Sequence, residues 1–214
     1  MSRQNWKGGA LLAPVPPTLV TCKSGDRQNV ITVAWCGILS TVPPKTYISL
    51  RPQRYSYGII KESREFVINL PTAEMVKTVD FCGMYTGAKV DKIARTGMSL
   101  VHAEHVDAPI IENCPLALEC RVCDIVPLGS HDMFIADILS VSVDDRLLNR
   151  DGKLETERAN LLAYAHGDYF SLGKKLGCFG ISSMKKNSQK KKNAALLKIR
   201  KSARESTNEN KKNG

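Results

Sequence analysis

The sequence predicts a mainly β fold, a barrel with helices inserted between its strands, and three observations predict it. Segments of period-2 alternation rich in Val, Ile, Thr and aromatic residues follow one another, with turn-forming residues between them. Few of them alternate with helical segments in the strand–helix–strand order that builds a doubly wound sheet. One segment, HDMFIADILSVSVDD, sets Met133, Ile135, Leu139, Val141 and Val143 against Phe134, Ala136 and Ile138. Apolar groups on both faces mark a strand in the middle of a barrel.

Pro14 to Pro17 open the domain, Thr18–Cys22 reads as a first strand, and SGDRQN is a turn. The stretch Asn29–Tyr57 organises the rest of the chain: a strand (NVITVAW), a turn built on Pro43 and Pro44, a second strand, and an Arg/Ser/Tyr-rich lead into a helix. In the second strand Thr46, Ile48 and Leu50 point one way, and Tyr47, Ser49 and Arg51 the other. YSYGIIKES is a helix with Tyr57, Ile59 and Ile60 on an apolar flank, and REFVINL is a strand ended by Pro71. TAEMVKTVDFCG carries Met75, Val76, Val79 and Cys82 at helical spacing, with Gly83 closing the helix. YTGAKVDKIARTG is a loop running into a short helix. ALECRVCDIVPLG and the two-faced segment form a pair of strands joined at Pro127–Ser130, NRDGK is a turn, and LLAYAHGDYFSLGKKLGCFG reads as an aromatic-containing loop.

Composition bounds the function. The 214 residues suffice for one sizeable core, and 43% hydrophobic with 24% charged residues is ordinary for a globular protein. No apolar run approaches the ~18 residues that cross a bilayer. The N-terminal stretch is broken by prolines too soon for a signal peptide, so the expected compartment is the cytoplasm. Of the formal charge of +10, +9 lies in residues 185–214, with eleven Lys/Arg and two Asp/Glu; 20 basic and 19 acidic residues precede them. The high isoelectric point therefore describes a tail. The expected organisation is a domain over 1–184 and a disordered, lysine-rich tail over 185–214, in which AALLKIRKSAR has the makings of a short helix. Such a tail can meet nucleic acid or acidic partners in a salt-sensitive way, or act simply as a solubilising extension.

Seven cysteines at irregular spacing make a poor disulfide framework. Cys120-x-x-Cys123 lies in a strand, where positions three apart face opposite sides, so the two thiols do not share a metal. No G-x-G-x-x-G follows a strand, and P-loop, nucleophile-elbow and H-E-x-x-H signatures are absent from the sequence. What remains is anion chemistry. Arg51 and Arg54, followed by Tyr55, Ser56 and Tyr57, offer donors suited to a phosphate. Thr86, Gly87 and Lys92 are spaced so that a hydroxyl, a backbone amide and an ammonium can converge on one anion. An ordinary solvated sheet face and a capped turn with a solvated lysine are the alternatives.

The ordered set N-V-I-T-V-A-W, V-P-P, S-L-R…Y-S-Y, EFVINLP, YTGAKVDKI, DAPIIENCPLALEC and G-S-H-D-M-F-I-A-D-I resembles the flavin reductase-like domain family, with the flavoredoxins as the nearest subgroup. The resemblance spans roughly residues 10–180 and leaves the lysine-rich tail outside. It implies the FMN-binding split barrel, Greek-key-like with helical excursions, and a homodimer. Asn29, Thr32, Ala34 and Trp35 then match the segment beside the flavin ring and its ribityl chain. Arg51, Tyr55 and Ser56, with Thr86, Gly87 and Lys92, match the phosphate side. His131 matches a G-x-H motif associated with binding reduced nicotinamide. Ser130 stands where many two-component reductases carry Asp, so a structural histidine at a strand start stays open. The implied activity carries electrons from NADH or NADPH through FMN to free flavin or another acceptor. The alternative is a non-enzymatic electron carrier reduced by a protein partner. No catalytic acid–base pair is required, because hydride transfer needs positioning and exclusion of solvent. Nucleic acid and membrane are not expected partners.

Overall fold

The structure is a computed structural model and describes residues 1–183. The expected tail over 185–214 and its short helix lie outside the described residues. The chain divides into two units, Met1–Gly173 and Lys174–Gly214. In the described part of the second unit, Lys174–Phe179 is exposed and Ile181–Ser183 forms a 3-10 turn.

The first unit is built from β1 (Thr18–Ser24), β2 (Arg27–Val33), β3 (Cys36–Thr41), β4 (Pro44–Leu50), α1 (Tyr55–Ser63), β5 (Glu65–Leu70), α2 (Val76–Met84), α3 (Lys92–Thr96), β6 (Leu100–Val101), β7 (Ile110–Ile111), β8 (Leu116–Pro127), β9 (Asp132–Val143), β10 (Leu162–Ala165) and β11 (Asp168–Ser171). Seven strands form one antiparallel sheet in the order β2-β1-β5-β8-β9-β4-β3. β4 and β5, consecutive in the chain, are separated in the sheet by the inserted β8–β9 hairpin, which gives the Greek-key-like arrangement.

The connection from β2 to β3 shows that this sheet is rolled. These strands occupy opposite edges, yet only Ala34 and Trp35 lie between them. Three Cα–Cα steps reach at most about 11 Å. A flat seven-stranded sheet would hold its edges about 29 Å apart. The sheet therefore curls until its edges nearly meet, and a hydrogen bond from Ser49 N–H to the Trp35 carbonyl (2.9 Å) fastens the connection.

Inside the curl lie Val20, Ile31, Val33, Ile48, Leu50, Phe66, Ile68, Val122 and Phe134, joined by Ile59 and Ile60 of α1. The alternation read in β4 is present: Thr46, Ile48 and Leu50 are buried, and Arg51 is exposed. The outer face of β1 and β2 is covered as well, because Leu19 and Val30 pack with Val79 and Cys82 of α2 and with Ile111 and Leu162. Burial on both faces explains the near-continuous apolar character of TLVTC and NVITV. β9 pairs with both β8 and β4, the central position its two apolar faces predict. Cys120 is buried and Cys123 exposed, as their spacing requires. No helix among the described residues is long and apolar enough to cross a membrane.

Three local expectations are corrected. CGILST, which the sequence reading placed between a strand and the proline turn, is a strand of its own, β3. Gly83 does not close its helix; α2 runs through Met84, and a Cβ on Gly83 would lie 3.4 Å from the Thr32 Cβ. Gly83 thus brings α2 close to β2. LLAYAHGDYFS is an antiparallel hairpin, β10–β11, turning at His166 and Gly167 with φ of 49° and 103°. Positive φ at both central residues is what a two-residue hairpin turn needs.

Asn69 fixes β5 in its place. Fully buried, it donates from Nδ2 to the Leu19 carbonyl (3.0 Å) and Thr21 Oγ1 (3.2 Å), and its Oδ1 accepts from Ile111 N–H (2.9 Å). Asn69→Ala is expected to destabilise the fold by roughly 2–4 kcal/mol, because buried partners lose their bonds together. Urea unfolding checks it: the midpoint should fall with the slope unchanged.

Candidate functional site

A cleft of about 380 Å³ lies where the edges of the sheet approach. Its walls come from the end of β2 (Ile31–Val33), the crossing residues Ala34 and Trp35, the end of β4 with Arg51 and Arg54 beyond it, His131, and Tyr164 and Tyr169 of the β10–β11 hairpin. Among the described residues, no acidic side chain lines it. Arg54 stands at the N-cap of α1, which has no side-chain cap, and its Nη1 donates to the Gly83 carbonyl (3.2 Å) near the C-terminal end of α2. A cation suits that negative helix end. The Trp35 and His131 rings lie 4.5 Å apart. Burial, and then the Arg51 and Arg54 guanidinium groups, lower the His131 pKa from its ordinary value and so favour the uncharged ring. Ser130 Oγ is 2.9 Å from its Nδ1.

A second cleft, of about 480 Å³, is lined in part by chain neighbours of the residues that line the first. Arg54 lines one and Tyr55 the other; Ile31 of β2 lines the first and Asn29 the second. Gly87, Lys89 and Lys92 also line the second cleft, as do Asp26 and Asp91. Asn29, 4% exposed, donates from Nδ2 to the fully buried Ser56 Oγ (2.8 Å). A Cβ on Gly87 would fall 2.3 Å from Asn29 Oδ1, so the loop approaches the amide only because residue 87 is glycine.

Lys92 is 3% exposed, and its Nζ donates to the carbonyls of Val30 and Cys82, each at 2.8 Å. Burial lowers its pKa from 10.5 to about 8. The ammonium therefore ties β2 to α2 with two of its three protons. Its bond to Val30 also reports which way β2 faces. Residues of an antiparallel strand alternate between facing the partner and facing away. Since the Val30 carbonyl faces away from β1, so do the main-chain groups of Thr32, on the sheet's open edge beside the first cleft. The Thr32 hydroxyl itself donates to the Val79 carbonyl.

The single cluster expected from sequence is thus distributed. Thr32, Ala34, Trp35, Arg51 and His131 gather in the first cleft. Asn29, Tyr55, Gly87 and Lys92 gather in the second. Ser56 is enclosed behind Asn29. Thr86 is exposed and belongs to the turn, accepting at its carbonyl from the N–H groups of Lys89 and Val90 (3.2 Å each). Of the first cleft's lining, Tyr164 and Tyr169 escaped the sequence reading. Their signal was the His-Gly pair between two alternating aromatic runs.

Residues 11–173 match the family described as flavin reductase like domain. The chain belongs to that family. An uncharacterized protein of Archaeoglobus fulgidus is 34% identical over 146 residues, 68% of this chain and 81% of that protein. A flavoredoxin of Desulfovibrio vulgaris (Miyazaki F) has a similar structure, with a TM-score of 0.80 and 31% identity over 86% of this chain and 100% of that one. An NADPH-flavin oxidoreductase of Streptomyces viridifaciens is 27% identical over 129 residues, 59% of this chain and 65% of that protein. The flavin reductase-like fold of this chain is the split barrel that the sequence resemblance implied, with α1, α2 and α3 as its helical excursions.

The buried ammonium gives a pH signature. Below about pH 8 both folded and unfolded chains hold the Lys92 proton; between about 8 and 10.5 the unfolded chain holds it more. Stability then rises with pH across that window. Wild-type stability relative to Lys92→Met should climb from pH 8 towards 10.5 in urea titrations, and a flat difference would show that Lys92 is not desolvated as described.

Proposed function

We propose that this chain binds FMN in the two clefts and works as a flavin-dependent oxidoreductase fed by NADH or NADPH. One observation carries the reading: aromatic rings, the edge strand β2 and two guanidinium groups meet in one cleft that no carboxylate of the described residues lines. A phosphate-bearing planar heterocycle needs each of these. Its ring is best met by flat apolar walls and a few main-chain groups, and its phosphate by charge-assisted donors. The first cleft also falls within the usual ~300–1,000 Å³ of small-molecule sites. The residues present therefore fit the group.

In this reading Arg51 and Arg54 bind the phosphate. The main chain of Thr32 and Ala34 orients the polar edge of the ring, and Trp35 keeps water from it. Asn29, Tyr55 and Gly87 shape the second cleft, with Ser56 and Lys92 holding its floor and Thr86 fixing the turn that carries Gly87. His131 is placed to hydrogen-bond a nicotinamide carboxamide beside the ring. FMN bound there supplies a centre that accepts a hydride and passes electrons on singly or in pairs. The protein's task is alignment and exclusion of solvent, which explains why no acid–base dyad is needed.

A second reading, a carrier reduced by a protein partner, is favoured by the similarity to a flavoredoxin along the whole length of that protein. The two part on one measurement. Anaerobic stopped-flow mixing with NADH or NADPH should bleach bound flavin rapidly in the enzyme, and slowly or not at all in the carrier.

Arg51→Ala and Arg54→Ala are each expected to weaken FMN by at least about tenfold, the worth of one charge-assisted hydrogen bond. Fluorescence titration measures this, and the unfolding midpoint of the flavin-free protein should stay put. Unchanged affinity in both variants removes the phosphate assignment. His131→Ala is expected to raise the apparent KM for the reduced nicotinamide while leaving FMN affinity intact.

A further inference from the structure

The β10–β11 hairpin stands apart from the barrel sheet as a two-stranded sheet of its own. Its base is fastened to the main chain. Val15 and Tyr164 exchange two backbone hydrogen bonds of 2.9 Å, and Leu162 N–H donates to the Pro71 carbonyl (3.1 Å). Leu162 and Ala163 are buried. Beyond this base the hairpin projects: β11 pairs with β10 alone, and the His166–Gly167 turn is exposed.

Tyr164 and Tyr169 are directly opposed across the hairpin, and their rings lie 5.4 Å apart. Opposed residues share one face of a two-stranded sheet, while Phe170, next along β11, takes the other face and is 52% exposed. The shared face is turned to the first cleft, which both phenols line. Flat phenols of this kind present large, stiff apolar area to a planar ring.

A polar contact links the projecting strand to the body. The Tyr169 hydroxyl donates to Asp80 Oδ1 (3.3 Å), on the exposed side of α2. Tyr169 also packs at the margin of the cluster made by Leu19, Val30, Val79 and Cys82. Asp80 itself does not line the cleft.

We propose that the β10–β11 hairpin is the ring-facing wall of the first cleft, and that Asp80, acting through the Tyr169 hydroxyl, is the positioning residue that holds this wall in place. The identity of the planar guest rests on the flavin reading above. With the bond formed, the two phenols stay aligned against the ring and slow its escape. With the bond broken, β11 loosens against the fastened β10, Tyr169 leaves its alignment with Tyr164, and the ring is released faster. Whether FMN stays through turnover or exchanges as a substrate is then set at this contact, remote from the phosphate.

The test compares wild type with Asp80→Ala, Asp80→Asn, which keeps an acceptor oxygen, and Tyr169→Phe, which keeps the ring. Hydrogen exchange of residues 162–171 in the flavin-free protein reads the wall, and FMN dissociation into excess apo-acceptor reads its effect. Asp80→Ala and Tyr169→Phe are expected to speed exchange in the hairpin and to raise the FMN dissociation rate roughly three- to tenfold, the worth of a single hydrogen bond, with Asp80→Asn close to wild type. Unchanged exchange in Asp80→Ala overturns the role of Asp80. Faster exchange with unchanged FMN release overturns the hairpin as ring wall. Wild-type protein that takes up no FMN overturns the flavin reading and the wall with it, while the exchange data still decide the Asp80 contact on their own.

Discussion

The open edge of β2 is the constraint from which the site follows. An edge strand presents main-chain groups that must find water, a side chain or a ligand. β2 divides that need along its length. At Val30 the carbonyl is met by the buried Lys92 ammonium, which reaches the Cys82 carbonyl as well and so binds α2 to the strand. At Thr32 the hydroxyl goes to Val79, and Gly83 lets the helix come within van der Waals reach. Past Thr32 the chain leaves for the opposite edge, and there the cleft begins. The helices thus decide where the strand edge is sealed and where it stays available. Burying an ammonium to do so is unfavourable, and the fall of its pKa to about 8 records the strain on the charged form.

Charge placement, not net charge, gives the cleft its sign. Residues before the tail are nearly balanced. Much of that charge is neutralised locally, in pairs such as Arg27 with Glu62, Lys45 with Asp137, Arg121 with Glu65 and Arg146 with Asp144. Arg51 joins no ion pair among the described residues, and Arg54 is engaged by a carbonyl. Two guanidinium groups with unspent donors, at a cleft that no carboxylate of the described residues lines, keep an attraction for anions that the paired arginines have lost.

The barrel was legible because its signals are local. Period-2 alternation marks β4, burial on both faces marks β9, and Ile59 with Ile60 marks the inner side of α1. Arg51, Trp35 and His131, singled out by the resemblance although far apart in sequence, line one cleft. Lys92 was not legible as a buried group: between Asp91 and Ile93 it reads as an exposed donor, and only the packing of α3 against β2 and α2 turns it inward. β3 escaped because Gly37, Ser40 and Thr41 dilute its alternation, and Ile38 and Leu39 both remain exposed on that edge. The hairpin merges in sequence with the glycine-rich stretch that follows it, and its short strands join through the two-residue connection His166–Gly167.

The division between barrel and hairpin has a consequence for how such a site can vary. Trp35, Thr32 and Arg51 sit on or beside strands whose alternate residues form the core, so moving them disturbs Val33, Ile31 or Leu50. Tyr164 and Tyr169 project from a hairpin whose contribution to the buried clusters is chiefly Leu162. Substitution of Tyr164 alters the cleft apart from the buried clusters, whereas Tyr169 also touches the margin of the one formed by Leu19, Val30, Val79 and Cys82. A surface carried on such a hairpin can be altered at less cost to the core than one carried on the barrel strands.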